Sequence, residues 1–152
     1  MNPAPDLLLV EDNPADLELA LRAIRRAGVA YAGEVRVARD GAEALACFFG
    51  ADAEWGRAAG RLPRAVFLDL KLPKIDGFGV LQQLKSDPRT RAVPVVALTS
   101  SREARDIAEC YRLGANSYVV KPMESEDFAA AVGGLRDYWL GRNEPPPAPG
   151  QP

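Results

Sequence analysis

Short apolar runs alternate along the chain with apolar positions at helical spacing. Leu7-Leu8-Leu9-Val10 is a continuous run, the pattern of a strand buried on both faces. Asn13-Pro14-Ala15-Asp16 then reads as an N-cap, a proline at the first helical position and an acid in the first turn. Leu17, Leu21, Ile24 and Gly28 follow at helical spacing, with Arg22, Arg25 and Arg26 beside them. A second strand is expected over Glu34 to Ala38, and Asp40 with Glu43 brackets the cap of a helix carrying Leu45 and Phe48. Residues 51–61 break the rhythm and read as a longer surface connection.

The pattern then resumes. Ala65 to Leu68 is the third expected strand, ending at Asp69, and the loop 71–77 leads into a helix with Phe78, Leu81 and Leu84. Val93 to Leu98 is the fourth strand. Ser100 and Glu103 have the spacing of a capping box for a helix with Ala104, Ile107, Ala108 and Tyr111 that stops at Gly114. Tyr118-Val119-Val120 is the fifth strand, and a last helix begins near Ser125 and carries Phe128, Val132, Leu135 and Trp139. Five strands alternating with five helices imply a doubly wound α/β domain, a parallel sheet with right-handed crossovers and helices on both faces. The expected domain spans 1–140. The segment 141–152 holds Pro145, Pro146, Pro147, Pro149 and Pro152 and is expected to be an extended, disordered tail.

Composition narrows the chemistry. The chain has 152 residues, with 19 basic against 21 acidic side chains and a net charge of -2. That length favours one domain, and the balance argues against a general nucleic-acid or membrane-surface binder. The expected partners accordingly include no nucleic acid and no membrane. Histidine is absent, which removes imidazole bases, Ser-His-Asp triads and histidine metal ligands. Cys47 and Cys110 lack metal-ligand spacing and read as buried thiols of a reducing compartment. The N-terminus has neither a basic flank nor a long apolar run, so the expected location is cytoplasmic.

In open parallel sheets, ligands bind at the carboxyl ends of the strands where strand order reverses. Glu11 and Asp12 close the first strand and Asp69 closes the third. If those strands are neighbours, three carboxylates meet in one crevice, an arrangement that calls for a cation. Oxygen donors alone favour a hard ion such as Mg2+. Thr99 closes the fourth strand with a hydroxyl and Lys121 closes the fifth with a positive charge. Taken singly, strand-end acids and Thr99 serve as helix caps, and Lys121 as a surface residue. Together they make a pocket suited to a phosphoryl group, with a carboxylate able to accept it.

The segments LVEDNPAD, VFLDLKLPKIDGFGVL, VVALTSS and LGANSYVVKP resemble the motifs of response-regulator receiver domains over about residues 6–140. The resemblance implies a flavodoxin-like (βα)5 fold with strand order 2-1-3-4-5. By position it makes Asp69 the phosphoacceptor. Asp12, Asp69 and the backbone carbonyl of Lys71 would hold Mg2+, with Glu11 acting through water. Lys121 and Thr99 would stabilise the phosphoryl group, Thr99 and Tyr118 would form the switch, and the Lys121-Pro122 bond would be cis. The implied donor is the phosphohistidine of a sensor histidine kinase. The connection at 51–61, the LPKIDGFGVL loop and Tyr138-Trp139-Leu140 look most like regulators paired with phytochrome-type kinases. In one departure, Ser100 stands where many members have alanine; its hydroxyl either caps the helix or alters water access.

The function so implied is a single-domain response regulator that phosphorylates and dephosphorylates itself but is not an enzyme acting on free substrate. Its output is expected from the surface of the fourth helix, fifth strand and fifth helix. Tyr111, Tyr118, Tyr138 and Trp139 lie there, with a homodimer as the expected assembly and a monomer whose Trp139 folds back on its own core as the alternative. Gly133-Gly134 in the last helix costs about 1 kcal/mol per residue relative to alanine unless close packing requires it, and a second helix at this face is one reason to keep it. Arg22, Arg25 and Arg26 either contact the kinase or form a plain solvated face. Three other readings stay open: a phosphohydrolase with an aspartyl nucleophile, a flavin-binding module, and a degenerate receiver used only for docking. Lys71 stands where the phosphohydrolase would place a general acid, and phosphate-cradling Ser, Thr and Gly are missing after the first strand.

Overall fold

The computed structural model describes residues 6–26, 34–55 and 61–147. Each apolar run becomes a strand: β1 (Leu7–Val10), β2 (Val35–Ala38), β3 (Ala65–Leu68), β4 (Val95–Thr99) and β5 (Ser117–Val120). Between them lie α1 (Pro14–Ile24), α2 (Gly41–Phe49), α3 (Gly77–Ser86) and α4 (Ala104–Arg112), and α5 (Ser125–Arg136) closes the series. All pairings are parallel and the order is β2-β1-β3-β4-β5, the doubly wound, flavodoxin-like layering expected. Strand order reverses beside β1, so the crevice for a ligand opens where β1 and β3 end.

Why the central strands read as unbroken apolar runs is clear from the two cores. Successive strand residues point to opposite faces. Leu8, Val10, Val66, Leu68, Val95 and Ala97 face one core with Phe48, Leu81 and Leu84 of α2 and α3. Leu7, Leu9, Ala65, Phe67, Val96 and Leu98 face the other, with Leu17, Ile24, Phe128 and Val132 of α1 and α5. The fourth strand starts two residues later than expected: Pro94 has no N–H to give a ladder, and the Val93 N–H closes a turn on the Thr90 carbonyl at 3.0 Å.

Local caps set the helix starts. Asn13 accepts from the Asp16 N–H with Pro14 in the first turn, Asp40 accepts from the Glu43 N–H, and Asp76 accepts from the Gly79 N–H. Cys47 and Cys110 are free and buried. The connection after α2 is not all surface, because Trp55 is fully buried against Phe48 with ring centroids 5.3 Å apart. Gly28, residues 56–60 of that connection and 148–152 of the expected tail lie outside the described residues. Helical backbone continues past α5 as a π-helical segment, Asp137–Arg142. It passes the boundary expected at residue 140 by two residues, and Arg64 then donates to the Asn143 carbonyl at 3.2 Å. Among the described residues no helix is long and apolar enough to cross a membrane.

Two expectations need correction. No described peptide bond is cis, so Lys121-Pro122 adopts the trans form that X–Pro bonds ordinarily prefer. Gly133 and Gly134 line a hollow on the α1 side of α5, with Ala23, Arg26 and Ala129, and do not belong to the face carrying Tyr118. A side chain at Gly134 would meet nothing within 4 Å, and one at Gly133 would find the Arg136 guanidinium at 3.6 Å. The chain itself therefore does not require this pair.

Gly77 is different. A Cβ there would run into the Asp69 carbonyl and the Leu70 Cα, the backbone that presents the strand end. Gly77→Ala is expected to lower stability by about 2 kcal/mol or more. Gly134→Ala is expected to raise it by up to about 1 kcal/mol. Urea denaturation of the two variants checks both signs.

Candidate functional site

The register Val10↔Leu68 makes β1 and β3 end side by side. Glu11 and Asp69 therefore leave the sheet together, their backbones fixed by Glu11 N–H to the Ala38 carbonyl and Asp69 N–H to the Val10 carbonyl, both at 3.0 Å. Both residues are buried, at 3% and 7% exposure, whereas Asp12 is exposed. One carboxylate oxygen from each of Glu11, Asp12 and Asp69 lies within 4.8 Å of the other two. The Asn13 N–H donates to Glu11 Oε2 at 3.2 Å and the Lys71 N–H to Asp69 Oδ1 at 3.3 Å.

Lys121 supplies the countercharge. Its backbone N–H donates to the Thr99 carbonyl at 2.7 Å, one rung beyond β5. Its ammonium then reaches Glu11 Oε1 at 2.5 Å, Asp16 Oδ2 at 3.0 Å and Asp69 Oδ2 at 3.1 Å. Burial disfavours the charged amine, but Glu11, Asp69 and Asp16 outweigh it and raise the Lys121 pKa. For Glu11 the balance goes the other way. Burial, reinforced by the Asp69 charge, pushes the carboxyl up to about 7 against the pull of Lys121. Thr99 is fully buried at the end of β4, and its Oγ1 has no hydrogen-bond partner among the described residues. A buried hydroxyl left so costs about 1–3 kcal/mol.

The expected capping box at Ser100 does not form. The helix starts at Ala104 with Glu103 as its cap residue and no side-chain cap bond. Ser101 takes over: its hydroxyl accepts from the Glu103 N–H at 3.3 Å and donates to Asp106 at 2.6 Å. The Ser101 carbonyl accepts from the Tyr118 hydroxyl at 2.9 Å. That long-range bond holds residues 100–103 as a loop. Of the expected surface aromatics, Tyr111 and Tyr138 are half exposed and Tyr118 is partly buried. Tyr138 and Trp139 stack edge to face at 5.0 Å; among the described residues no ring contact joins them to Tyr111 or Tyr118.

Glu11, Asp12, Asp69 and Lys121 are thus brought into one cluster, with Lys71 bonded to Asp69 and Thr99 to the Lys121 backbone. Asp16 is a fourth acid there, and the sequence pattern gave it only a first-turn helix role. A signal was present: helix side chains lean toward the N-terminus, which aims an acid one turn into α1 back at the strand end. The acidic trio fits a divalent cation, because its donors are all hard oxygens, close together and at an open mouth.

A family model for the response regulator receiver domain matches residues 7–133. The chain is a response regulator receiver domain. This receiver domain is 44% identical over 140 residues to the probable methanogenesis regulatory protein FilR2 of Methanothrix harundinacea, covering 92% of this chain and 86% of that one. It is 34% identical over 139 residues to response regulator Rcp1 of Synechocystis sp., with 91% of each chain covered. The Mn2+-bound crystal structure of Rcp1 matches with a TM-score of 0.81 at 32% identity, covering 94% of this chain and 100% of that one. The phosphorylated cyanobacterial phytochrome response regulator RcpA matches at 0.83 and 35%, covering 95% of this chain and 100% of that one.

The raised Glu11 carboxyl gives cation binding a pH dependence. Below about 7 Glu11 holds a proton, which a cation drawing on its negative charge must displace. Divalent-cation affinity is therefore expected to rise with pH from 6 to 8, up to about tenfold per unit below the pKa and levelling above it. Calorimetric titration across that range, in buffers of different ionisation enthalpy, reads both the affinity and the released proton.

Proposed function

We propose that this receiver domain accepts a phosphoryl group on Asp69 from the phosphohistidine of a partner sensor kinase, in a Mg2+-dependent reaction. The observation carrying this reading is the Lys121 ammonium lying on both Asp69 and Glu11 inside a buried cluster. Asp12, Asp69 and the backbone carbonyl of Lys71 would hold Mg2+, with Glu11 acting through water. When bound, Mg2+ offsets the charge on the phosphoryl oxygens.

A carboxylate oxygen of Asp69 forms the bond to phosphorus as the bond to the donor imidazole nitrogen breaks in line. The imidazole departs with that electron pair. Lys121 follows the negative charge onto the phosphoryl oxygens, and the Thr99 hydroxyl donates to one of them, gaining the partner it otherwise lacks. Such chemistry needs positioning more than acid–base catalysis, so a chain without histidine can perform it. Lys71 stands two residues past Asp69, where a phosphohydrolase would place its carboxylic general acid. This favours a held phosphoryl state over turnover of free substrate.

The signal leaves when Thr99 is drawn toward the phosphoryl group and Tyr118 gives up the Ser101 carbonyl, a two-state shift. The changed surface is that of α4, β5 and α5 with the following turn, where Tyr111 and Tyr138 are half exposed. A homodimer through this face is our reading of the active form. The likeness to RcpA, named for phytochrome, supports a phytochrome-type kinase as the donor.

Incubation with acetyl phosphate and Mg2+ should add a phosphoryl group to the wild type, and none to Asp69→Asn, by intact mass. An adduct on both proteins, or on neither, overturns the phosphoacceptor assignment. Sedimentation velocity should show dimers when beryllofluoride and Mg2+ are present; monomers both with and without them overturn the dimer.

A further inference from the structure

Asp16 stands apart from the acidic trio. It lies in the first turn of α1, its N–H held by the Asn13 side chain at 3.0 Å, and its Oδ2 is 3.0 Å from Lys121 Nζ. Its side chain is 33% exposed, against 4% for Glu11 and 9% for Asp69. An ammonium has three hydrogens to give. Here its carboxylate partners come from the end of β1, from α1 and from the end of β3.

Two of those partners are also wanted by a divalent cation. Ammonium and dication therefore compete for Glu11 and Asp69, and they repel each other at this range. Among the described residues, Asp16 is the one carboxylate partner of Lys121 outside the trio. It gives the ammonium an anion to keep while the cation draws on the other two. Resting on the receiver reading above, we infer that Asp16 is a positioning residue that holds Lys121 at the rim of the site and lets ammonium and cation be bound together. Without its charge, Lys121 settles more fully on Glu11 and Asp69 and becomes a stronger competitor of the metal.

The first turn of a helix also favours an acid for local reasons, so the test must separate that role from an action through Lys121. A double-mutant cycle does so. Mg2+ titrations by calorimetry on the full chain would compare wild type, Asp16→Asn, Lys121→Met and the double variant, with thermal melts alongside. Asp16→Asn is expected to weaken Mg2+ binding about threefold to tenfold in the wild-type background, and less than about twofold once Lys121 is gone.

An equal loss in both backgrounds means direct attraction of Mg2+ by Asp16 and overturns the inference. Unchanged affinity in the wild-type background, with or without a lowered melting temperature, overturns it as well. If Asp16→Asn does not fold, Asp16→Ser carries the same pair of expectations. A wild type that neither binds Mg2+ nor gains a phosphoryl group overturns the phosphoacceptor reading together with this inference. A wild type that does both while Asp16→Asn titrates identically overturns this inference alone.

Discussion

Everything at the end of the sheet is arranged around the charge of one ammonium. Glu11 and Asp69 are buried side by side because β1 and β3 are neighbours, and buried like charges cannot both stay ionised without a partner. Lys121 is that partner within the chain, and it comes from the far edge strand. The sheet order carries β5 past β4 to a place where a long flexible stem can span back to β3 and β1. Neutrality of the site is thus a long-range property, complete only when all of β1, β3, β4 and β5 are in register. Removing one member of such a cluster leaves the others uncompensated, a change that costs about 3–5 kcal/mol for a fully buried pair.

Carrying a charge at Glu11 is costly chiefly because the carboxyl is buried. Glu11, deeply buried, keeps a raised pKa even with the ammonium 2.5 Å away. One lysine cannot satisfy several carboxylates, and the residual negative character is what a divalent cation would draw on. On the proposed function, stability and function pull in opposite directions here: a second lysine would settle the charges and disfavour metal and phosphoryl group alike.

Much of this was legible in the sequence, for a local reason. The run Leu7-Leu8-Leu9-Val10 encodes a two-faced strand because each residue's burial follows from its parity, and Asn13 and Asp40 cap helices through bonds three residues long. Glu11, Asp12, Asp69, Thr99 and Lys121 could be gathered because ligand sites follow strand ends. What escaped depends on distant partners. Asp16 looks like a helix-terminal acid until Lys121 arrives beside it. Ser100 has capping-box spacing, yet the Tyr118 hydroxyl takes the Ser101 carbonyl and the helix starts later. Trp55 sits among small and polar residues in the sequence, and its burial follows from packing into the core beside the Phe48 ring. Gly133-Gly134 line a hollow on the α1 side of α5, a placement that helix propensity alone did not reveal.

Site and surface are joined through the same two strands. Lys121 donates its backbone N–H to the Thr99 carbonyl at 2.7 Å, and Tyr118, three residues earlier on the same segment, donates its hydroxyl to the Ser101 carbonyl at 2.9 Å. These bonds lace the end of β4 and its following loop to β5 at two points, one beside the charges and one at the outer ring. Any rearrangement that pulls the Lys121 ammonium and the Thr99 hydroxyl toward Asp69 loads both bonds at once. The backbone bond at Thr99 lies in a continuing ladder and is costly to break. The Tyr118 bond is a single contact at a partly exposed ring, so in the proposed switch it is the one that would yield. In the proposed switch, a charge change at Asp69 would be converted into a movement at Tyr118 rather than a general loosening of the sheet.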